Sequence, residues 1–128
     1  MTEAYKFSGE YICPVERGRI HIPSELKEIL GLDPIMIKGI LFGGEEGSIY
    51  IYPEKLWDLE KSTILDKCKT VRDLRRTERH LYSGSWKCEA DEYNRVYLPR
   101  SLRKYSGIDR EAAVLGAGRM IKLQNIKR

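Results

Sequence analysis

Cysteine and histidine are scarce in this sequence, and their spacing fits neither metal binding nor cross-linking. The three cysteines, Cys13, Cys68 and Cys88, form no Cys-x-x-Cys pair. A zinc finger and a disulfide framework are therefore not expected. The only histidines are His21 and His80, and neither belongs to a recognisable catalytic pattern. We expect a protein that is not an enzyme and that holds neither a metal ion nor a cofactor.

Long apolar runs are also missing. The longest, residues 35–42, is interrupted by Lys38 and is far shorter than the roughly 20 residues of a membrane-spanning helix. The first ten residues lack the apolar segment of a secretory signal. Apolar residues make up 41% of the 128 residues and charged residues 33%, which is typical of a folded domain. We expect one cytoplasmic domain that does not contact a membrane.

Charge is unevenly distributed along the chain. Residues 1–65 contain 7 Lys/Arg and 11 Asp/Glu, a net charge of −4, whereas residues 66–128 contain 16 and 8, a net charge of +8. Such a basic half suggests an anionic partner, and nucleic acid is the first candidate. The alternative is a basic surface that is simply solvated, and charge alone does not separate the two.

The chain contains an internal repeat. The segment RIHIPSELKEILGLD, residues 19–33, aligns with RVYLPRSLRKYSGID, residues 95–109, at an offset of 76. Upstream, FSGEYIC (7–13) aligns with YSGSWKC (82–88) at an offset of 75. The identical positions in the longer segment are Arg19/Arg95, Pro23/Pro99, Leu26/Leu102, Gly31/Gly107 and Asp33/Asp109. Identities at proline and glycine positions indicate a tandem duplication.

Each copy predicts the element order β-β-α-β-β. The second strand alternates apolar and polar residues, Pro23 or Pro99 then begins a short helix, and Gly31 or Gly107 ends it. The first, third and fourth strands are predicted at 6–13, 35–42 and 48–52 in the first copy and at 82–88, 112–116 and 119–123 in the second. One such layer is too thin to bury an apolar face alone, so both copies should form one pseudo-symmetric domain, mainly β with short helices (α+β).

A helical connector joins the two copies. We divide the chain into a first unit (1–53), the connector (54–81) and a second unit (82–128). Helical spacing predicts one helix over 54–65 and another over 70–82. The residues expected to face inward are Leu56, Trp57 and Leu59 in the first helix and Val71, Leu74 and Leu81 in the second.

The connector is also rich in basic residues. They are Lys67, Lys69, Arg72, Arg75, Arg76 and Arg79. These side chains fit contacts to phosphates, a solvated helix face, or a subunit interface with an acidic surface. The last two interpretations are favoured.

An arginine follows a tight turn in both copies. The turns are VERG before Arg19 and DEYN before Arg95. Gly18 and Asn94 occupy equivalent places, and both residue types tolerate a left-handed backbone. The sequence therefore predicts a sharp turn at each position.

The aspartate of the second turn has a defined structural use. Asp91 lies four residues before Arg95, where its carboxylate can accept loop N–H groups and hold the guanidinium. An arginine held in this way can contact guanine O6 and N7 or bind a phosphate. The alternative is a surface ion pair of little consequence. The duplication favours the first interpretation, because a doubled hairpin bearing arginine has the shape of a two-stranded major-groove reader.

These features resemble the MraZ family of bacterial regulators of the division and cell-wall gene cluster, which is related to AbrB-type DNA-binding domains. The resemblance is carried by the doubled arginine loop running into apolar-x-apolar-Pro, by the closing strands AAVLGAGRMIKL and by the connector helix RDLRRTERHLYSG. It implies an AbrB/MraZ-like double-split β-barrel capped by helices and assembled into a ring-like homo-oligomer. It also implies sequence-specific binding of double-stranded DNA at short direct repeats, repression of the protein's own operon, and a place at the nucleoid.

The resemblance also implies a set of DNA-binding residues. The loop arginines contact DNA in the family, and Arg17 matches a basic loop position of the first unit. The predicted set is Arg17, Arg19, Asp91, Asn94, Arg95, Arg100 and Arg103.

One position departs from the family pattern. Val15 stands where the first unit of the family has an aspartate. Without that carboxylate, we expect Arg19 to lose its tether. We therefore expect the second hairpin, in the more basic half, to dominate DNA binding.

A second function class stays open. Related small barrels also serve as antitoxin-like or adaptor-like protein-interaction modules, a likeness of fold rather than of site. On this interpretation the basic helix binds an acidic protein, and DNA is bound only without sequence preference.

Overall fold

The computed structural model describes residues 10–29, 38–43, 47–117 and 120–126. The strands are β1 (Glu10–Glu16), β2 (Arg19–His21), β3 (Lys38–Gly43), β4 (Ile49–Pro53), β5 (Ser85–Glu89), β6 (Arg95–Tyr97), β7 (Glu111–Ala117) and β8 (Met120–Asn125). The helices are α1 (Ser24–Ile29), α2 (Glu54–Asp66), α3 (Val71–Ser83) and α4 (Arg100–Ser106). The predictions for residues 6–9, 30–37 and 119 lie outside the described residues.

The strands of the two copies are interleaved rather than separate. β1 pairs with β7, and its counterpart β5 pairs with β3, so each copy lends its first strand to the third strand of the other. The equivalent strands β2 and β6 pair with each other, and so do β4 and β8. Every pairing named here is antiparallel. The pairing therefore follows a pseudo-two-fold axis, and the predicted β-rich α+β fold of duplicated units is confirmed.

The sheet curls on itself. Its strand order is β5-β3-β4-β8-β7-β1-β2-β6. The strands at its two ends, β5 and β6, are consecutive in the chain and are joined only by residues 90–94. The curl encloses an apolar core to which both copies contribute, including Ile20, Ile22, Val96 and Leu98, each 0% exposed. Burial of such a side chain stabilises the fold by roughly 1.5–3 kcal/mol.

The two connector helices cover one side of the curled sheet. Trp57 of α2 and Leu81 of α3 are buried against Tyr52 of β4. The inward assignment of Trp57 and Leu81 is thus confirmed. It is wrong for Leu59 and Val71, which are 57% and 67% exposed, because α2 and α3 each bury only a narrow stripe of side chains.

The helix ends follow from local chemistry. The Thr70 hydroxyl accepts a hydrogen bond from the Asp73 N–H at 3.0 Å and caps α3. Pro99 precedes α4, and Gly107 ends it with a left-handed backbone at φ 75°, as predicted. None of the described helices is both long enough and apolar enough to span a membrane.

The first loop is shorter than predicted. The sequence predicts that the first strand ends at residue 13 and that the turn is VERG, but β1 continues to Glu16 and leaves only Arg17 and Gly18 in the turn. The physical reason is Val15, which is 7% exposed within the core and pairs with Ile20. The division of the chain at residues 53/54 and 81/82 stays a prediction.

Candidate nucleic-acid interface

β2 and β6 are neighbouring strands of the sheet, and β2 pairs with β1 on its other side. We call the β2–β6 pair, which has one exposed face, the ribbon. The Cα partners are Arg19 with Tyr97, Ile20 with Val96, and His21 with Arg95. Ile20 and Val96 are buried, and side chains alternate along a strand, so the other four side chains lie on the outer face. The pseudo-two-fold axis passes through the central buried pair. The ribbon therefore places the two repeated arginines at diagonal corners of a four-residue patch.

The two turns next to the ribbon have the predicted left-handed backbone. In the first, Arg17 and Gly18 have φ of 53° and 77°, which is the geometry of a two-residue hairpin with both central residues left-handed. In the second, Asn94 has φ of 61°. The prediction for Gly18 and Asn94 is confirmed.

Matching hydrogen bonds tie each turn to the other copy. The Gly18 carbonyl accepts from the Leu98 N–H at 2.7 Å, and the equivalent Asn94 carbonyl accepts from the Ile22 N–H at 2.9 Å. Both donors belong to fully buried residues. The positions of the turns are thus fixed by the core beneath the ribbon.

Asp91 organises the second turn. Its Oδ1 accepts hydrogen bonds from the N–H groups of Tyr93 and Arg95, both at 2.9 Å. Its own N–H donates to the Arg95 carbonyl at 2.9 Å. The turn is therefore closed by both the backbone and the side chain of one residue, as the Asp-x-x-x-Arg spacing predicts.

The same carboxylate holds both repeated arginines. Asp91 Oδ2 accepts from Arg95 Nε at 2.9 Å and from Arg19 Nη1 at 3.2 Å. The expectation that Arg19 has no tether is wrong. The missing first-unit carboxylate is replaced across the pseudo-two-fold axis. β2 pairs with β6 so that Arg19 lies opposite Tyr97, and from there its side chain reaches Asp91 of the second turn, while Val15 fills the core.

The charge state of Asp91 follows from these contacts. Burial raises the pKa of the carboxyl, but the N–H groups of Arg95 and Tyr93 and the Arg95 guanidinium outweigh it. The net effect holds the pKa of Asp91 below its usual range. The group is therefore an anion at neutral pH and aligns two cations.

Most of the predicted residues come together on this face. A shallow cleft is lined by Glu16, Arg17, Arg19, Arg95 and Tyr97. Asp91 and Asn94 belong to the second turn, and Asp91 contacts two of the arginines that line the cleft.

Two further predicted arginines lie beside the ribbon on α4. Arg103 Nε donates to the Leu98 carbonyl at 3.0 Å, and its guanidinium lies 6.0 Å from the centre of the Tyr97 ring. Arg100 is exposed at the first residue of α4, in a second depression that also includes Tyr97. Both add positive charge to the flank of the ribbon.

Sequence reasoning missed three side chains of this surface. Tyr93 and Tyr97 are 62% and 50% exposed, and His21 is exposed on the ribbon. The Arg95 guanidinium lies 5.1 Å from the Tyr93 ring centre, a cation–π distance. Because side chains alternate along a strand, the apolar Ile20 and Val96 predict that His21 and Tyr97 point outward. This pattern could have identified His21 and Tyr97 as part of the surface.

A separate cationic surface lies on α3. Arg72, Arg75, Arg76 and Arg79 line one groove with Val71. Within the described part of the chain, no acidic partner contacts these four arginines. α3 covers the side of the sheet formed by β4 and β8. Around the curled sheet, β7 and β1 lie between this pair and β2–β6 in one direction, and β3 and β5 lie between them in the other. The α3 surface and the ribbon are therefore at opposite ends of the molecule.

Comparison with known proteins identifies the family. A scan against protein-family models found no match. Similar curated proteins are the transcriptional regulators MraZ of Syntrophomonas wolfei, 32% identical, and of Carboxydothermus hydrogenoformans, 31% identical, each over 118 residues. Both alignments cover 91% of this chain and 79% of the relative. The chain belongs to the MraZ family. The MraZ regulator of Heliobacterium modesticaldum, 28% identical over 123 residues, covers 95% of the chain.

Family membership confirms the resemblance inferred from the doubled arginine loop. The MraZ relatives are named transcriptional regulators, a description that fits a protein other than an enzyme. The alignments extend over both units and the connector, so the likeness includes the ribbon as well as the helices.

Proposed function

We propose that this MraZ-family protein is a sequence-specific, DNA-binding transcriptional regulator. The observation that carries the proposal is the outward pair Arg19 and Arg95, both held by Asp91 on an exposed two-stranded ribbon. The name of its relatives and the net charge of +8 in residues 66–128 support it.

The ribbon fits the major groove of double-stranded DNA. That groove is about 12 Å wide in B-DNA and admits a two-stranded antiparallel ribbon. Arginine is the side chain that most often reads guanine, through O6 and N7. Because Asp91 already fixes the two guanidiniums, less side-chain freedom is lost on binding than for free arginines.

We further propose that the protein binds as a ring-like homo-oligomer to short direct repeats near a promoter. A single ribbon of this size contacts few bases, so one unit binds weakly. Linked units that engage several repeats gain effective concentration, often by about 10²–10⁴-fold. From the resemblance to MraZ regulators, we also propose that it represses its own division and cell-wall operon in the cytoplasm, at the nucleoid.

The test is fluorescence anisotropy with DNA from upstream of the protein's own gene and with a scrambled control. We expect a preference of at least ~10³ for the upstream DNA and its loss in Arg95→Ala. Arg76→Ala on α3 is the matched control, because it removes the same charge from an exposed arginine at the opposite end of the molecule. Equal binding of both DNAs that ignores Arg95 contradicts the proposal.

A protein-interaction module is the second candidate. The observation that favours it is the arginine groove on α3, which no acidic side chain of the described residues neutralises. This candidate predicts weak, sequence-blind DNA binding. It also predicts that a charge reversal at Arg75 and Arg76, rather than a change at Arg95, abolishes function in the cell.

A further inference from the structure

The two repeated arginines present the same chemical group at both ends of the ribbon and alone give it little direction. Arg19 and Arg95 are related by the pseudo-two-fold axis and share one carboxylate oxygen. A two-fold symmetric reader selects a site with matching symmetry. Direct repeats, in contrast, require every bound unit to lie in the same orientation on the DNA. Other side chains must therefore supply the direction.

The ribbon is asymmetric at its other two corners. Tyr97 is the cross-strand neighbour of Arg19, whereas His21 is the cross-strand neighbour of Arg95. The axis that relates the arginines also relates these two positions. The arginine at one end thus stands beside an exposed phenol ring, and the arginine at the other stands beside an exposed imidazole.

These two side chains offer different chemistry to base edges. A half-exposed aromatic ring gives apolar surface suited to a thymine methyl group, a contact found only in the major groove. An imidazole presents one donor and one acceptor, or two donors when protonated. The Tyr97 end also carries Arg103 over the ring, at 6.0 Å.

We propose that Tyr97 and His21 determine specificity and set the orientation of the ribbon on DNA. Tyr97 selects a thymine next to the base read by Arg19, and His21 selects a different base next to the one read by Arg95. The preferred site of one ribbon is therefore not palindromic. This inference rests on the proposed DNA-binding function.

The decisive variant is His21→Tyr, which makes both corners alike. Tyrosine suits an exposed strand position, so the fold should be kept, and circular dichroism checks this. Selection from randomised duplexes should give an asymmetric consensus for the full wild-type chain. For His21→Tyr the consensus should become more nearly palindromic, because the base beside the one read by Arg95 should change to the base preferred in the Tyr97 half. Tyr97→His should shift the consensus toward the other palindrome.

Anisotropy then quantifies the change. Wild type should bind its asymmetric site about tenfold more tightly than the Tyr-type palindrome, and His21→Tyr should reverse that preference. An unchanged asymmetric consensus in both variants overturns this inference alone. A wild-type selection that enriches no sequence overturns the proposed function and this inference together.

Discussion

Arg19 and Asp91 are 72 residues apart in the chain, yet Arg19 Nη1 lies 3.2 Å from Asp91 Oδ2. The two residues come from different copies of the duplicated unit. The same oxygen accepts from Arg95 Nε at 2.9 Å. One carboxylate therefore serves two arginines, and a single substitution at Asp91 should disturb both halves of the ribbon.

Asp91→Asn should lower specific DNA affinity about tenfold or more. The asparagine keeps an oxygen for the turn N–H groups, but its neutral amide cannot hold two guanidiniums, and a hydrogen bond to a charged group contributes about 1.5–3 kcal/mol. Glu92→Gln is the matched control, because it removes an exposed carboxylate from the same turn. Anisotropy with upstream DNA measures both variants.

A double-mutant cycle makes that prediction more stringent. If Asp91 acts through the arginines, Asp91→Asn should have little further effect once Arg19 and Arg95 are both alanine. Fully additive losses would show instead that Asp91 contributes to binding by another route.

Stability should depend on the ionisation of Asp91 at low pH. Its pKa in the folded protein lies below the ordinary value of 3.8, so folding favours the anion. The resulting stabilisation is complete above the unfolded-state pKa and is lost as the pH falls through the folded-state pKa. Urea unfolding should therefore show a difference in free energy between wild type and Asp91→Asn that is steady near neutral pH and shrinks below about pH 4. A difference that grows on acidification would contradict this.

The two arginines should differ in importance. We expect the second hairpin to contribute more to DNA affinity than the first. A missing tether for Arg19 is not the reason, because Arg19 is bound to Asp91. The reasons are the more basic second half of the chain and the geometry of the two arginines. Arg95 makes the shorter bond to Asp91, and its side chain is 37% exposed against 47% for Arg19. Loss of a bidentate base contact costs about 1–3 kcal/mol of discrimination. Arg95→Ala should weaken specific binding more than Arg19→Ala, and the reverse order would refute the ranking.

The sequence was a good guide to the fold for a definable reason. Proline and glycine at fixed places, such as Pro99 and Gly107 around α4, specify backbone geometry locally. The alternation of Ile20 and Val96 with polar residues gave the buried face of the ribbon. These signals depend on neighbours along the chain, which a sequence displays directly.

The shared carboxylate could not be predicted in the same way. It depends on the pairing of β2 with β6, a contact between copies whose register is a property of the whole sheet. The repeat alignment placed Val15 opposite Asp91 and suggested a loss. It could not show that β1 runs on through Val15 or that Arg19 reaches across the axis.

Salt dependence should separate base contacts from phosphate contacts. Arg100 is exposed at the start of α4, beside the ribbon rather than on it, and we expect it to bind a phosphate. Arg100→Ala should weaken binding to all sequences alike and reduce the slope of log affinity against log salt by about 1. Arg95→Ala should leave that slope nearly unchanged while it removes sequence preference. The opposite pattern would mean that Arg100 contacts a base and Arg95 contacts a phosphate.

Placing an aspartate at position 15, to match Asp91 of the second copy, should harm the protein. Val15 is 7% exposed and its side chain belongs to the core, so Val15→Asp buries a carboxylate and does not create a second tether. Thermal unfolding should show that the free energy of unfolding falls by several kcal/mol, more than for Val15→Ala. The reason is that an unpaired buried charge adds its desolvation penalty to the lost packing. DNA affinity measured on the folded fraction should not rise, because Asp91 already occupies the place between the two arginines. A stable Val15→Asp protein with tighter DNA binding would mean that the first hairpin rearranges to resemble the second.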